Sequence, residues 1–123
     1  MKTKIRDIIF DKFHGRCAYC GCKLENRWHV DHIDPVVRDL KTGKYYHLER
    51  DNTNNLNPSC ASCNIQKHSF TLEQFRSNIQ NFINSLNNYS NQYKFAKKFG
   101  LITETNTQVV FYFENLIERK SNE

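Results

Sequence analysis

Two Cys-x-x-Cys pairs constrain this chain more than any other feature of its sequence. One pair is Cys17 and Cys20, and the other is Cys60 and Cys63. A spacing of two residues lets both sulfurs of one turn reach the same ion, and zinc accepts four thiolates in a tetrahedron. The pairs therefore predict one structural zinc with no coordination position left for water. The alternative is two unrelated pairs of buried cysteines.

A fifth cysteine, Cys22, lies two positions after Cys20 with Gly21 between them. Two residues between ligands suit a zinc knuckle better than one, and Cys22 has no symmetric partner beside the second pair. We therefore expect Cys22 to be a spare thiol. Gly21 is a small residue where the knuckle turns tightly, a position that favours glycine.

The length and composition agree with a metal-stabilised domain. The chain has 123 residues, which predicts a single domain over residues 1–123. Hydrophobic residues make up 38% and the mean hydropathy is -0.76, so the core is modest and a bound metal is a plausible additional support. The net charge of +5 favours an anionic partner, and nucleic acid is the usual one.

The sequence contains no leader-peptide pattern and no apolar stretch long enough to cross a membrane. We therefore expect a cytoplasmic protein with no membrane partner. In that compartment cysteines are metal ligands more often than they are disulfides.

The first half of the chain predicts short elements around the cysteine pairs. Ile5, Ile8, Ile9 and Phe13 recur at helical spacing, which predicts a helix over 4–14. The pattern next predicts a strand over 27–32. A long polar connection over 38–53 follows, which is either a hairpin or an ordered loop. A short helix is then predicted over 61–68.

The second half predicts a mostly helical extension over 70–123. Thr71 and Gln74 form a capping box, and the helix that they open is predicted to bury Leu72, Phe75, Ile79, Phe82, Ile83 and Leu86. A further helix over 90–99 ends at Gly100. The β-branched and aromatic run 108–113 predicts a strand, although a buried helix has a similar composition.

The residues around the cysteine pairs form a known pattern. Asp31-His32-Ile33 precedes Pro35, Asn55-Leu56 precedes the second pair, and Asn64 and Lys67 follow it. This order resembles the HNH (His-Me finger) endonucleases, in the form that contains a four-cysteine zinc. The resemblance covers residues 13–68. It implies an α+β fold with a ββα-metal core, preceded by a helix.

The resemblance implies a role for each motif residue. His32 corresponds to the general base, and Asp31 and Asn64 correspond to ligands of a catalytic divalent ion. Asn55 corresponds to the residue that holds the loop carrying His32, and Lys67 corresponds to a basic residue near the phosphate. The chemistry of these residue types agrees with the implied roles, because histidine titrates near neutrality and hard oxygen ligands suit Mg²⁺ or Mn²⁺.

The chain departs from the common family pattern at two places. Many members have His where this chain has Asn64, but active members with Asn occur, including junction resolvases of the endonuclease VII type. Many members also have a Gly pair after the Pro, where this chain has the longer connection 38–53.

Taken one at a time, the motif residues also have purely structural explanations. Asp31 and His32 could form a hydrogen-bonded pair at the surface, Asn55 could be a turn residue, and Asn64 could cap the helix after the second cysteine pair.

Basic residues accompany the predicted site along the sequence. Such residues give salt-dependent phosphate binding, whereas a single lysine is more often only solvated. The predicted DNA-binding residues are Arg38, Lys41, Lys44 and Lys67, and a second basic patch comprises Lys94, Lys97 and Lys98.

Three functions follow from these patterns. The leading hypothesis is a metal-dependent DNA endonuclease with structural Zn²⁺ and catalytic Mg²⁺ or Mn²⁺. The alternative is a non-catalytic zinc-knuckle module that binds nucleic acid or protein, which would need the cysteines but not Asp31, His32 or Asn64. The third is an accessory nuclease inside a larger phage or restriction assembly.

Overall fold

The structure is a computed structural model that describes residues 2–116, without the side chains at positions 2, 3 and 38. The elements are α1 Lys2–Asp11, β1 His29–His32, β2 Val37–Arg38, β3 Tyr45–Tyr46, β4 Leu56–Ser59, α2 Ala61–Lys67, α3 Leu72–Gln80, α4 Phe82–Tyr89 and α5 Asn91–Lys98. Two short 3-10 turns, Leu48–Arg50 and Thr53–Asn55, precede β4, and residues 112–116 are helical. No helix in the described range is long and apolar enough to cross a membrane.

Strands β1 and β4 and helix α2 form a ββα core, as predicted. The strands are antiparallel, and Asp31 pairs with Asn57 while His32 pairs with Leu56. Helix α1 packs against β4, and α2 packs against β1. The mixed composition of helices and short antiparallel strands confirms the predicted α+β class.

The first cysteine pair lies in a tight turn between α1 and β1. The Cys17 N–H donates to the Cys22 carbonyl at 2.8 Å, and the Gly21 N–H donates to the Cys17 carbonyl at 3.0 Å. Gly21 has φ of 78°, a conformation that favours glycine. A Cβ there would also lie 2.8 Å from Cδ1 of Tyr112, so glycine is required by both backbone and packing.

The connection predicted over 38–53 contains a hairpin. Strands β2 and β3 pair with Val37 opposite Tyr46, and the Asp39 N–H donates to the Lys44 carbonyl at 2.8 Å. Gly43 has φ of 71° in the turn between them. The two 3-10 turns then return the chain to the edge of β1.

The hydrophobic core is built around the ring of Tyr19, which lies inside the first knuckle. Phe75 and Phe111 stack on each other at 5.2 Å, and Tyr19 meets both edge-on at 5.7 and 5.5 Å. Cys17, Ala18 and Leu24 are buried in the same cluster. The knuckle and the C-terminal extension therefore share one core.

The helix predicted to start at Thr71 forms, but it is shorter than predicted. The Thr71 and Gln74 capping box is present, and α3 ends at Gln80; a separate helix, α4, then begins at Phe82. Of the residues predicted to be buried, Phe75 is buried, whereas Phe82, Ile83 and Leu86 are 45%, 41% and 38% exposed. The break at Asn81 turns α4 away from the core and towards α5, so that part of the prediction is wrong.

The strand predicted over 108–113 is also wrong. Residues 108–111 have no regular structure, and residues 112–116 are helical. The N–H groups of Tyr112 and Phe113 donate to the carbonyls of Tyr19 and Ala18 at 3.0 and 2.9 Å. The apolar residues of this run cover the first knuckle and do not extend a sheet. Composition alone does not distinguish these two arrangements, because both bury the same residue types.

Candidate metal centre and active site

The four cysteines of the two pairs converge on one point. Their sulfur atoms all lie within 4.8 Å of one another, and Cys20 and Cys60 are 3.8 Å apart at Sγ. Four sulfurs at about 2.3 Å from a tetrahedral zinc would be about 3.8 Å apart. The geometry therefore fits a single four-coordinate ion, and the choice of four sulfurs favours zinc.

The thiols influence one another strongly in this cluster. A hydrogen bond from the Cys63 thiol lowers the pKa of Cys17 to about 4, and the same contact, with burial, raises the pKa of Cys63. Desolvation also raises the pKa of Cys20. Several thiolates are thus unfavourable together without a cation, and a divalent ion would offset that repulsion.

Cys22 lies beside this cluster but outside it. The group of mutually close sulfurs includes the four knuckle cysteines and not Cys22. Partial desolvation and contacts with Cys20 and Cys60 raise the pKa of Cys22 to about 12, so its thiol stays protonated. Its position agrees with the prediction of a spare thiol.

Asp31 lies in β1 and is only 7% exposed. Its Oδ2 atom accepts a hydrogen bond from the Tyr19 hydroxyl at 2.5 Å and lies 3.1 Å from Nζ of Lys67. Burial raises the pKa of Tyr19, and the Asp31 carboxylate adds to that shift, so the tyrosine remains a donor. Both contacts are made by the same carboxylate oxygen.

His32 follows Asp31 and faces an open cleft. Its side chain is 37% exposed, and Nε2 lies 3.1 Å from Oδ1 of Asp51. The cleft has a volume of about 400 Å³ and is lined by His32, Val36, Tyr45, Leu48 and Asp51. A partly exposed imidazole with one nitrogen held by a carboxylate is suited to accept a proton from water through the other nitrogen.

Asn55 bonds to the backbone of the loop that follows His32. Its Oδ1 accepts from the Asp34 N–H at 3.0 Å, and its Nδ2 donates to the carbonyls of Asp34 and Arg50 at 2.8 and 2.6 Å. The Ile33 N–H donates to the Asn55 carbonyl at 2.8 Å. Asn55 therefore ties together the segments that carry His32 and Asp51.

Helix α2 brings Asn64 and Lys67 to the β1 side of the core. These residues are three positions apart and lie on one face of the helix. Asn64 is half-buried, and its side chain makes no hydrogen bond within residues 2–116. No hydrogen bond joins the side chains of Asn64 and Asp31 in the described range, so the amide oxygen of Asn64 is not used by another group there.

Lys67 occupies a different environment from the one predicted. It is 0% exposed, it pairs with Asp31, and its Nζ donates to the His32 carbonyl at 2.7 Å. A lysine enclosed in this way does not reach a bound phosphate. The prediction that Lys67 contacts DNA is corrected accordingly.

The other predicted DNA-binding residues lie on the β2–β3 hairpin. Lys41 and Lys44 are exposed in its turn, and Arg38 is in β2, with its side chain outside the described part. His29 lies at the start of β1 and is exposed. The hairpin lies beside the cleft, because Tyr45 of β3 lines it.

Sequence reasoning missed three residues that surround the site. Tyr19 contacts Asp31, Asp51 contacts His32, and the wholly buried Asn57 accepts from Lys12 Nζ at 3.2 Å. The only sequence signal for Tyr19 was an aromatic residue between the two cysteines of the first pair. Asp51 lies in a polar loop whose path the sequence did not define.

Comparisons with known proteins agree with this geometry. Residues 17–70 match the family model of the HNH endonucleases. The chain is 30% identical over 86 residues to YoqL, a candidate HNH endonuclease derived from the SPbeta prophage of Bacillus subtilis (strain 168). The match covers 66% of this chain and 37% of that relative. No solved structure matches the chain.

Residues 17–70 therefore form an HNH endonuclease domain, the domain of a family of nucleases. The resemblance found from the Asp-His, Asn and Cys-x-x-Cys-Asn residues is confirmed. The relative extends well beyond the matched part, since the chain spans only 37% of its length.

Proposed function

We propose that this protein is a metal-dependent endonuclease that hydrolyses phosphodiester bonds of DNA. The observation that carries the proposal is the juxtaposition of a buried carboxylate and an accessible imidazole on consecutive residues. Asp31 is 7% exposed and His32 has a side chain 37% exposed, and both belong to the strand that packs on α2. The family assignment supplies the reaction class.

The proposed roles follow from these positions. His32 accepts a proton from the attacking water through the nitrogen that Asp51 does not hold. Asp31 and Asn64 offer oxygen ligands that suit Mg²⁺ or Mn²⁺, which when bound would polarise the scissile phosphate. Asn55 keeps the His32 loop in place through its backbone contacts.

The DNA contacts that we propose are electrostatic. Lys41 and Lys44 are exposed beside the cleft, and Arg38 precedes them on the same hairpin. The net charge of +5 supports an anionic partner.

We also propose that the motif core and the C-terminal extension form one domain, because Phe75 and Phe111 of the extension pack on Tyr19 of the core. The prophage origin of the relative agrees with an accessory role in a phage assembly.

The test is nicking of supercoiled plasmid by the zinc-loaded protein with Mg²⁺ or Mn²⁺. His32→Ala should lower the rate by about 10²-fold or more while DNA binding and zinc content stay unchanged. His47→Ala is the matched control, because His47 is another exposed histidine paired with a carboxylate, Glu49. If the parent protein binds DNA but never cleaves it under any metal, the non-catalytic zinc-knuckle alternative is correct.

A further inference from the structure

The carboxylate of Asp31 is held by two buried donors. Tyr19 is 4% exposed and Lys67 is 0% exposed, and both contact Oδ2. The other oxygen, Oδ1, makes no hydrogen bond within residues 2–116. The contacts therefore fix the plane of the carboxylate and leave one oxygen for a ligand.

The two donors come from the two zinc knuckles. Tyr19 lies between Cys17 and Cys20, and Lys67 lies in the helix that begins directly after Cys60. Lys67 also donates to the His32 carbonyl at 2.7 Å. One ammonium group thus links the helix of the second knuckle to both Asp31 and His32.

The charges in this arrangement cancel. Asp31 contributes one negative charge and Lys67 one positive charge at a separation of 3.1 Å, and Asn64 is neutral. The affinity of an oxygen site for a divalent cation depends on the number of charged ligands. A site with no net charge holds such a cation weakly until another anion joins it.

We propose that Lys67 is a positioning residue that neutralises Asp31, so that the catalytic divalent ion binds well only when a DNA phosphate completes its coordination. This proposal rests on the proposed function. Lys67 acts here through Asp31 and not on the phosphate, which its burial keeps out of reach. The Lys67–Asp31 pair would thus make binding of the catalytic divalent ion depend on the presence of DNA.

Binding of Mn²⁺ to the zinc-loaded full chain, followed by electron paramagnetic resonance, tests the proposal. The measurements use His32→Ala protein, so that a short DNA duplex is not cleaved. We expect binding to tighten about tenfold or more when the duplex is added. Asp31→Ala protein with the same duplex gives the background from Mn²⁺ on DNA alone.

Two variants separate charge from hydrogen bonding. Lys67→Met removes the charge with little change in volume and should tighten Mn²⁺ binding without DNA by about tenfold. Tyr19→Phe is the matched control, because it removes the other buried donor on the same oxygen and leaves the charge. Its Mn²⁺ affinity without DNA should stay within about threefold of the parent. A purely structural role for Lys67 would weaken metal binding rather than tighten it.

Three results would overturn the proposal. The first is equally tight Mn²⁺ binding by the parent with and without duplex, a comparison that holds even if Lys67→Met fails to fold. The second is a folded, zinc-containing Lys67→Met protein whose DNA-free affinity is unchanged or weaker. If Asp31→Ala abolishes binding in that case, the ligand assignment stands and only the role of Lys67 fails. The third is Mn²⁺ binding that Asp31→Ala does not alter, which removes the proposed metal site itself.

Discussion

The side chain of Asn55 closes a ring of hydrogen bonds with the backbone of Asp34. The Asp34 N–H donates to Oδ1 at 3.0 Å, and Nδ2 returns a hydrogen bond to the Asp34 carbonyl at 2.8 Å. The amide thus replaces a strand partner at the point where the chain leaves β1. His32 precedes this ring by two residues, so we propose that Asn55 orients it.

Asn55→Ala should therefore lower both the stability and the nuclease rate. Three side-chain hydrogen bonds are lost, which at about 1 kcal/mol each predicts a loss of roughly 2–3 kcal/mol in the free energy of unfolding. The nicking rate should fall about tenfold to a hundredfold, less than in His32→Ala, because the base remains present but less ordered. Asn54→Ala, in the same exposed turn, is the control. Equal effects of both variants would contradict the role of Asn55.

The pairing of His32 with Asp51 makes a second, smaller prediction. Asp51 is 65% exposed, so Asp51→Asn should slow nicking only a few-fold. The pair His47 and Glu49 has the same chemistry and similar exposure in the same loop. Glu49→Gln should leave the rate unchanged. A rate for Asp51→Asn equal to that of Glu49→Gln would show that the orientation of His32 does not need Asp51.

The sequence predicted the features whose spacing is local. The cysteine pairs, the Asp-His pair at the end of a strand and the helix after the second pair all depend on short-range geometry, and the structure has them. The capping box at Thr71 belongs to the same class, because its two hydrogen bonds connect residues three positions apart.

The features that the sequence did not predict depend on contacts between distant segments. Lys67 looked like a surface base, and only the packing of α2 on β1 shows that it is enclosed with Asp31, 36 positions earlier in the chain. The run 108–113 has the composition of a strand, yet the N–H groups of Tyr112 and Phe113 donate hydrogen bonds to carbonyls of the first knuckle. A residue's partner across the fold is not encoded in the pattern around it.

The zinc assignment predicts opposite outcomes for two neighbouring cysteines. Cys17→Ser removes a buried ligand and should abolish zinc binding and the folded core, because metal binding supplies folding free energy in small zinc sites. Cys22→Ser should retain one zinc per chain and its far-ultraviolet circular dichroism. Metal analysis after dialysis measures both. A folded Cys17→Ser protein with full zinc content would show that the four-sulfur site is not the one that binds.

The ion pair between Arg76 and Glu114 predicts an acid-sensitive attachment of the C-terminal segment. Hydrogen bonds from Arg76 lower the pKa of Glu114 below its ordinary value of 4.5, and Arg76 also donates to the Val109 carbonyl at 2.8 Å. A lowered folded-state pKa means that the pair stabilises fully above about pH 4.5 and that this contribution is lost as the pH falls through the lower value.

Glu114→Gln should therefore lower the melting temperature near neutral pH and reduce its dependence on pH below about 4.5. The side chain of Glu114 is 27% exposed, so solvent screens part of the effect. Thermal unfolding of both proteins between pH 3 and 7, roughly the range that spans carboxylate titration, measures the difference. Gln92→Glu, at an exposed position of α5, is a control for a change of one charge. Parallel curves for the parent and Glu114→Gln would show that the pair does not contribute.

The hairpin lysines predict how DNA binding depends on salt. Each phosphate contact that is lost should reduce the slope of log K against log salt by about one, so Lys41→Ala combined with Lys44→Ala should reduce it by about two. Binding to a short duplex, measured by fluorescence anisotropy across several salt concentrations, gives the slope. The comparison is Lys94→Ala with Lys98→Ala on α5, which removes the same charge from a different surface. If the slope falls with the α5 pair and not with the hairpin pair, the DNA lies along the helical extension and the proposed role of the hairpin is wrong.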